Sequence, residues 1–445
     1  MNHKIGKHIF LFIFFLIFSF NDIIAFSDEN EKIVLTLETS LEIAKKKNRD
    51  ILIAQEETKK AEARVREAWS GALPQISMST VYNRNILKPA FFLTIEDETQ
   101  KIEIGRDNSY QNTLAFNQPL WLGGKIGTAL KIARAYSNSS EYGLENTWKN
   151  IRTQVKKTFY TILLAEEAKR VAEITLKQAE AHYDNVKKLH SQGLSSEFDL
   201  LRAEVNASNY KPALIQSENN LELAYNSLKN ILGIDINQEI EVEGSYAYEP
   251  LDNDVIKENN NKAFQTRADL KQLEFQTEMQ ELNIKIERAN WYPSFYLTGG
   301  LQFQGQSDKF YLKKNQRAFS LSAGIQMQVS IFDGLRTNAK VVQAEADYQK
   351  LEYQRMKLVE GINMEIRQAV LKMEEAKQMV DTQAQNVVQA EKALRIAEVR
   401  YSSGIGTQLE LFDAQLALER AQMGHIQGIY DYLVAKTDWE KAVGL

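Results

Sequence analysis

Phe319, Leu321, Ala323, Ile325, Met327, Val329 and Ile331 are apolar, and the residues between them are only Ser320, Ser322, Gly324, Gln326, Gln328 and Ser330. Thirteen successive positions therefore obey a period of two, which predicts a β-strand over 317–332. A half-buried sheet in water carries Lys, Glu or Arg on its wet face. Here the second face is small and uncharged, as in strands that turn an apolar side to lipid and a small polar side to a lumen. Weaker alternation predicts further strands at 75–83, 109–121 and 294–306. The rest of the chain has helical spacing. Val341, Ala344, Tyr348 and Leu351, then Val387, Ala390, Leu394, Ala397 and Tyr401, step by three and four, the period of helices packed along a common seam. The helix predicted over 335–402 would be a rod of roughly 100 Å at ~1.5 Å per residue.

These elements occur twice. Trp121-Leu122-Gly123-Gly124-Lys125 aligns with Phe332-Asp333-Gly334-Leu335-Arg336, and Gly193 and Gly233 recur at Gly404 and Gly444, each 211 residues on. Upstream, Leu73-Pro74-Gln75 aligns with Tyr292-Pro293-Ser294 at a shift of 219, so copy one is eight residues longer between its proline and its first glycine. Such a period is too long for a solenoid or propeller. Repeat one spans 26–240, with a helix over 37–70, strands 75–83 and 109–121 joined by a polar loop, a long helix 124–190 and a helix 195–232. A linker occupies 241–264. Repeat two, 265–445, has a helix over 265–290, strands 294–306 and 317–332, a long helix 335–402 and a helix 407–443. Pro74 and Pro293 lead from helix to sheet, Gly123, Gly124 and Gly334 lead back, and Gly193 and Gly404 suit helix C-caps. Trp69, Trp121 and Trp291 flank the strands.

Lys4 and Lys7, an apolar run from Ile9 to Phe20, and Ala25 have the form of a secretory signal peptide over 1–25, too short to span a bilayer. The mature chain has no cysteine, hence no disulfide, no thiolate metal ligand and no lipidated cysteine, so it is read as not a lipoprotein. A net charge of −5 gives no footing for nucleic acid. His182, His190 and His425 lie apart and His3 and His8 are in the leader, without the spacing of a helical zinc site. Gly299-Gly300 sits inside a strand rather than before a helix. The chain is accordingly expected to hold no metal or cofactor and to be no enzyme.

Four strands cannot close a barrel, and open sheet edges do not persist in lipid. Three chains would supply twelve strands and a tube of helices with pseudo-sixfold symmetry. From about Leu35 to Leu445 the chain resembles the TolC family of outer-membrane efflux proteins. The resemblance rests on the duplication, the proline-led strands, the strand–glycine–helix junctions, and the tip segments Tyr401-Ser-Ser-Gly-Ile-Gly-Thr-Gln-Leu-Glu-Leu-Phe-Asp413 and Gly193-Leu-Ser-Ser-Glu-Phe-Asp199. It implies a mainly α fold with a membrane β-barrel: a homotrimer with a twelve-stranded barrel in the outer membrane above a long periplasmic α-helical tunnel. It further implies a passive exit duct for tripartite efflux or type I secretion, with a periplasmic adaptor and an inner-membrane transporter of RND, ABC or MFS type as partners. The periplasmic gate then maps to Tyr401, Asp199, Glu410 and Asp413, and the adaptor-facing tips to Gly193, Gly404 and Gly406. A family arginine falls at Gly406, leaving Arg400 or Arg202 to take its part. The alternative is a periplasmic coiled-coil structural or adaptor protein outside any membrane, against which the uncharged strand 319–332 argues.

Overall fold

The computed structural model describes residues 33–95 and 98–445, so the signal-peptide reading lies outside the described residues. Four strands form the main sheet: β2 (Gln75–Arg84), β5 (Asn108–Trp121), β7 (Ser294–Ser307) and β8 (Arg317–Gln328). Their order is β2-β5-β7-β8, antiparallel throughout. β2 and β8 form its edges and are exposed along their whole length.

The sheet departs from the sequence reading at two places. The segment between β2 and β5 is not a plain loop but carries a hairpin of β3 (Ala90–Ile95) and β4 (Glu98–Glu103). Its strands are six residues each and mix Thr, Lys and Glu with Phe91 and Phe92, so no long alternation announces them. β8 stops at Gln328 rather than Phe332 because its partner begins at Ser294, which pairs with Gln328. Among the described residues no strand pairs with Val329–Phe332.

Below the sheet, the helix expected over 37–70 is two helices, α1 (Leu37–Lys47) and α2 (Arg49–Ser70). Asn48 divides them: its side chain accepts from the Asp50 and Ile51 N–H groups at 2.9 and 3.2 Å, capping α2. The segment 241–264 is more than a linker. After β6 (Ile240–Val242), which pairs in parallel with β1 (Ile33–Leu35), it holds most of α5 (Asn253–Thr266). Arg267 then separates α5 from α6 (Ala268–Arg288), 219 residues after Asn48. The rods are α3 (Lys125–Ser191) and α7 (Arg336–Ser402), each of 67 residues, returned by α4 (Glu197–Leu232) and α8 (Gln408–Ala442). α3 packs on α4, α7 on α8, and α3 on α8, while α6 lies against both α3 and α7. Among the described residues no helix is long and apolar enough to cross a membrane.

The deepest packing girdles the middle of the rods. Phe159, Ile162, Leu228 and Leu232 close over Leu35 and Ile51 in repeat one, and Ile362, Tyr432, Trp439 and Val443 pack together in repeat two. Arg267 is buried there. It donates to Asp269 and Glu365, both at 2.6 Å, and to the Ala442 carbonyl at 3.1 Å, tying the α5–α6 break to the end of α8.

Candidate functional site

The two helix hairpins turn back at one end of the rods, far from the sheet. Both turns are closed by a glycine with φ of 72° (Gly193 and Gly404), a conformation that side chains with a Cβ avoid. The Leu194 N–H donates to the Leu189 carbonyl at 2.9 Å, and the Ile405 N–H to that of Arg400 at 3.1 Å, satisfying the last orphan carbonyls of α3 and α7. The returning helices are capped by Ser196, which accepts from the Asp199 N–H, and by Thr407, which accepts from that of Glu410.

Gly406 is constrained by space rather than by φ. A Cβ there would lie 2.9 Å from Arg400 Cβ and 2.9 Å from the Tyr401 nitrogen. Any side chain at this position, an arginine included, would require the turn to shift off the end of α7. The cation stands on the helix instead: Arg400 Nε meets Glu410 Oε2 at 3.3 Å. Both side chains are about half exposed, so the pair adds at most ~1 kcal/mol. Arg202 lies over the Phe412 ring at 5.7 Å.

The sequence-predicted gate residues gather here, but the polar link between the two hairpins runs through others. Tyr401 packs beside Leu394, Ala397 and Leu411, its ring 5.1 Å from that of His182. Burial raises the Tyr401 hydroxyl pKa, and the nearby Asp199 charge adds to this. The Asp199 carboxylate is engaged by its own cap, accepting from Ser196 Oγ at 2.7 Å. Gln408, only 5% exposed, makes the cross-link: its Nε2 donates to the Asp199 carbonyl at 3.2 Å and to His182 Nε2 at 3.1 Å. Accepting at Nε2 requires a neutral imidazole with its proton on Nδ1. Burial favours that form, lowering the His182 pKa from its ordinary value of 6.5. Sequence reasoning missed His182 and Gln408, for nothing along the chain connects positions 226 residues apart. Glu410 and Asp413 lie exposed at the start of α8.

At the other end of the rods, Gly123, Gly124 and Gly334 all adopt positive φ where strands pass into α3 and α7. Leu335 follows with φ of 66°, costing roughly 1–2 kcal/mol for a residue with a side chain. Pro74 and Pro293 stand one residue before β2 and β7, where a missing N–H breaks no ladder. Trp121 lies edge-on to Tyr292 at 6.2 Å.

The main sheet carries charge only at Arg84 and Arg317, both at one end of its strands, and its edges are open above paired rods with closed tips. The family model described as "Outer membrane efflux protein" matches residues 41–234 and 260–445. The chain belongs to the outer membrane efflux protein family. It is 23% identical over 423 residues to the cobalt-zinc-cadmium resistance protein CzcC of Cupriavidus metallidurans, covering 92% of this chain and 90% of that one. It is 22% identical over 354 residues to the toluene efflux pump outer membrane protein TtgC of Pseudomonas putida, covering 78% and 71%. In fold it is similar to the CmeC outer membrane channel of Campylobacter jejuni, with a TM-score of 0.78 at 19% identity over 94% of this chain and 86% of that one. As an outer membrane efflux protein the chain is a transport channel component of the outer membrane, which sets aside the reading as a soluble coiled-coil adaptor.

Proposed function

We propose that three copies of this chain form a passive exit duct. Twelve strands make its barrel in the outer membrane, and the rods make a periplasmic tunnel, pinched at the tips. The observation that carries this reading is the four-stranded sheet whose edges, β2 and β8, are both unpaired. Each unpaired backbone group costs several kcal/mol in hydrocarbon, so the edges demand partners. In an all-antiparallel sheet of even strand number, β8 of one copy meets β2 of the next in the antiparallel sense, and the ring closes without a mismatch.

The tips hold the gate. Tyr401 and Asp199 lie at the junction of the two hairpins, while Glu410 and Asp413, repeated by the threefold, line the aperture with about six carboxylates and favour cations there. A periplasmic adaptor engages the turns at Gly193, Gly404 and Gly406. An inner-membrane transporter of RND, ABC or MFS type drives and selects cargo. The relatives named above are associated with metal ions in one case and toluene in the other, in keeping with cargo choice lying outside the duct. Membrane fractionation with unheated and heated electrophoresis tests the assembly. A heat-sensitive trimer in the outer-membrane fraction is expected, and recovery of intact chain as a periplasmic monomer would refute it.

A further inference from the structure

Between the girdle and the tips, α3, α4 and α8 enclose a groove of about 670 Å³, within the range of small-molecule sites. Its walls are Leu164, Ala168 and Val171 of α3, Ala213 and Leu223 of α4, and Met423 of α8. Leu223 is 64% exposed although it belongs to this concave, largely apolar surface. Amides and hydroxyls complete the lining, among them Gln216, Asn220, Ser227 and Gln427. Glu419 is its one charged residue.

That carboxylate is poorly served by the chain. Its Oε2 is shielded from solvent and accepts no hydrogen bond from the described residues. Burial raises the Glu419 pKa, and the Tyr210 hydroxyl on α4 and the Arg420 charge offset this only in part. An ionised oxygen buried without a donor is costly, and a cation brought alongside recovers that cost. No other residue of the lining carries a charge to supply it.

The groove is not a by-product of pairing two long helices. At the positions 211 residues on, repeat two has a cavity of about 270 Å³ lined by Lys372, Glu375, Met379, Asp431, Val434 and Asp438. These stand where repeat one has Thr161, Leu164, Ala168, Asn220, Leu223 and Ser227. One lining carries charges of both signs and is narrowed by Met379. The other is neutral but for Glu419, and small at Ala168.

The segment that follows β6 crosses the opposite side of the wall. Gly244 lies on the Phe159 ring with Leu163 beside it, and the Tyr246 hydroxyl donates to the Ile426 carbonyl at 2.6 Å. At ~100° per residue, Ala165 and Ala172 of the groove point about 180–200° away from Leu163. In a ring of rods that segment, with β1, β6 and α5, stands outside, because three copies of it within would obstruct the passage. The groove then opens inward.

We propose that this groove binds small organic cations with an apolar body, the charge at Glu419 and the body against Leu164, Leu223 and Met423, at three equivalent sites on the duct wall. The lumenal placement and the number of sites rest on the exit-duct reading, whereas the binding chemistry rests on the groove alone. A cation held there sits beside the path of export, so occupancy narrows the passage.

Tetraphenylphosphonium and tetraphenylborate have nearly the same size and opposite charge, so together they separate the carboxylate from the apolar walls. In equilibrium dialysis of the purified trimer in a non-ionic detergent, corrected for uptake by micelles, the phosphonium should bind saturably and the borate about tenfold more weakly or less. Glu419→Gln should weaken phosphonium binding about tenfold and leave the borate unchanged. Ala168→Met, which puts into the groove the side chain found at Met379 in repeat two, should weaken the phosphonium with the carboxylate intact. Both variants should keep the wild-type melting transition. Equal binding of the two ions, or phosphonium binding untouched by both substitutions, would overturn the site. In planar bilayers the phosphonium should lower the conductance of a Gln408→Ala channel but not that of Gln408→Ala with Glu419→Gln. Saturable binding without any such block would put the groove on the outer wall and overturn its lumenal placement. A monomeric chain that still binds the phosphonium through Glu419 would remove the duct and leave the site standing.

Discussion

The middle of the rods and their tips are made of the same four helices, yet they are held by different means. At the middle, Trp439, Tyr432, Phe159 and Ile362 are buried, and Arg267, Lys156 and Lys157 pin the chain ends and α8 in place. At the tips the core shrinks to Leu394, Ala397 and Leu411, and one buried glutamine bridges the hairpins. Dense apolar packing resists opening in every direction. A few hydrogen bonds, each worth about 0.5–1.5 kcal/mol, hold a geometry that modest forces undo. On the gate reading proposed above, the same helices would serve as a fixed girdle at one level and as a releasable closure at the other.

The contrast is broken most severely at the girdle. Trp439→Ala removes a fully buried indole and its hydrogen bond to Asn260, and is expected to cost about 3–5 kcal/mol. The readout is the helical melting transition by circular dichroism, which should fall clearly while residual trimer keeps wild-type conductance. Arg267→Met leaves Asp269 without its buried partner and should cost about 2–3 kcal/mol, since Glu365 is half exposed and recovers its hydration. Equal loss of stability from tip variants would erase the distinction.

At the tip the order of effects reverses. Gln408→Ala should change melting by only about 1 kcal/mol yet raise open-channel conductance in planar bilayers. Tyr401→Phe with Asp199→Ala should act in the same direction, more weakly than Gln408→Ala, because the hydrogen bonds between the hairpins run through the glutamine and not the phenol. Acidification sharpens the point. The His182 pKa is depressed in the folded tip, so the unfolded or opened form binds the extra proton more readily. The link is at full strength above the ordinary value of 6.5 and weakens as pH falls through it. Conductance should therefore rise between pH 7 and pH 6 in wild type. His182→Phe, which keeps the contacts with Tyr401 and Phe412, should show no such rise. The smallest expected change is in selectivity: Glu410→Ala with Asp413→Ala should reduce cation preference and relieve block by a trivalent hexammine ion, at a stability cost of at most ~1 kcal/mol from the lost Arg400 pair. Unaltered selectivity would move the pore axis away from this face of α8.

Much of this architecture was legible in the chain. The alternation of 319–331, the heptad steps of the long helices and the recurring glycines lead to the duct fold because each is a long signal that a lone sequence can carry. The short elements were not. β1 and β6 are three residues each and exist only because each offers the other a ladder. The break at Asn48 falls inside unbroken helical periodicity, α5 lies in a segment read as linker, and the extra hairpin has strands too short for a period. The tip shows the same division. Its glycines and acids are visible as local chemistry. The bond from Gln408 to His182 is set by how α8 lies across α3, and Gly406 is explained only by the approach of α7.

The equal length of α3 and α7 has a consequence for how such a chain can evolve. From Gly123 to Gly233 and from Gly334 to Gly444 the copies have diverged almost beyond recognition without a net gain or loss of one residue. The end beyond the sheet has meanwhile absorbed eight. A four-residue insertion in one rod would push its tip out of level by about 6 Å and rotate every face below it. It survives only if the other rod and both returning helices change together. The molecule is thus a ruler whose graduations are locked by its own symmetry. Lineages that need a longer reach must lengthen four helices at once or add the distance in a separate protein.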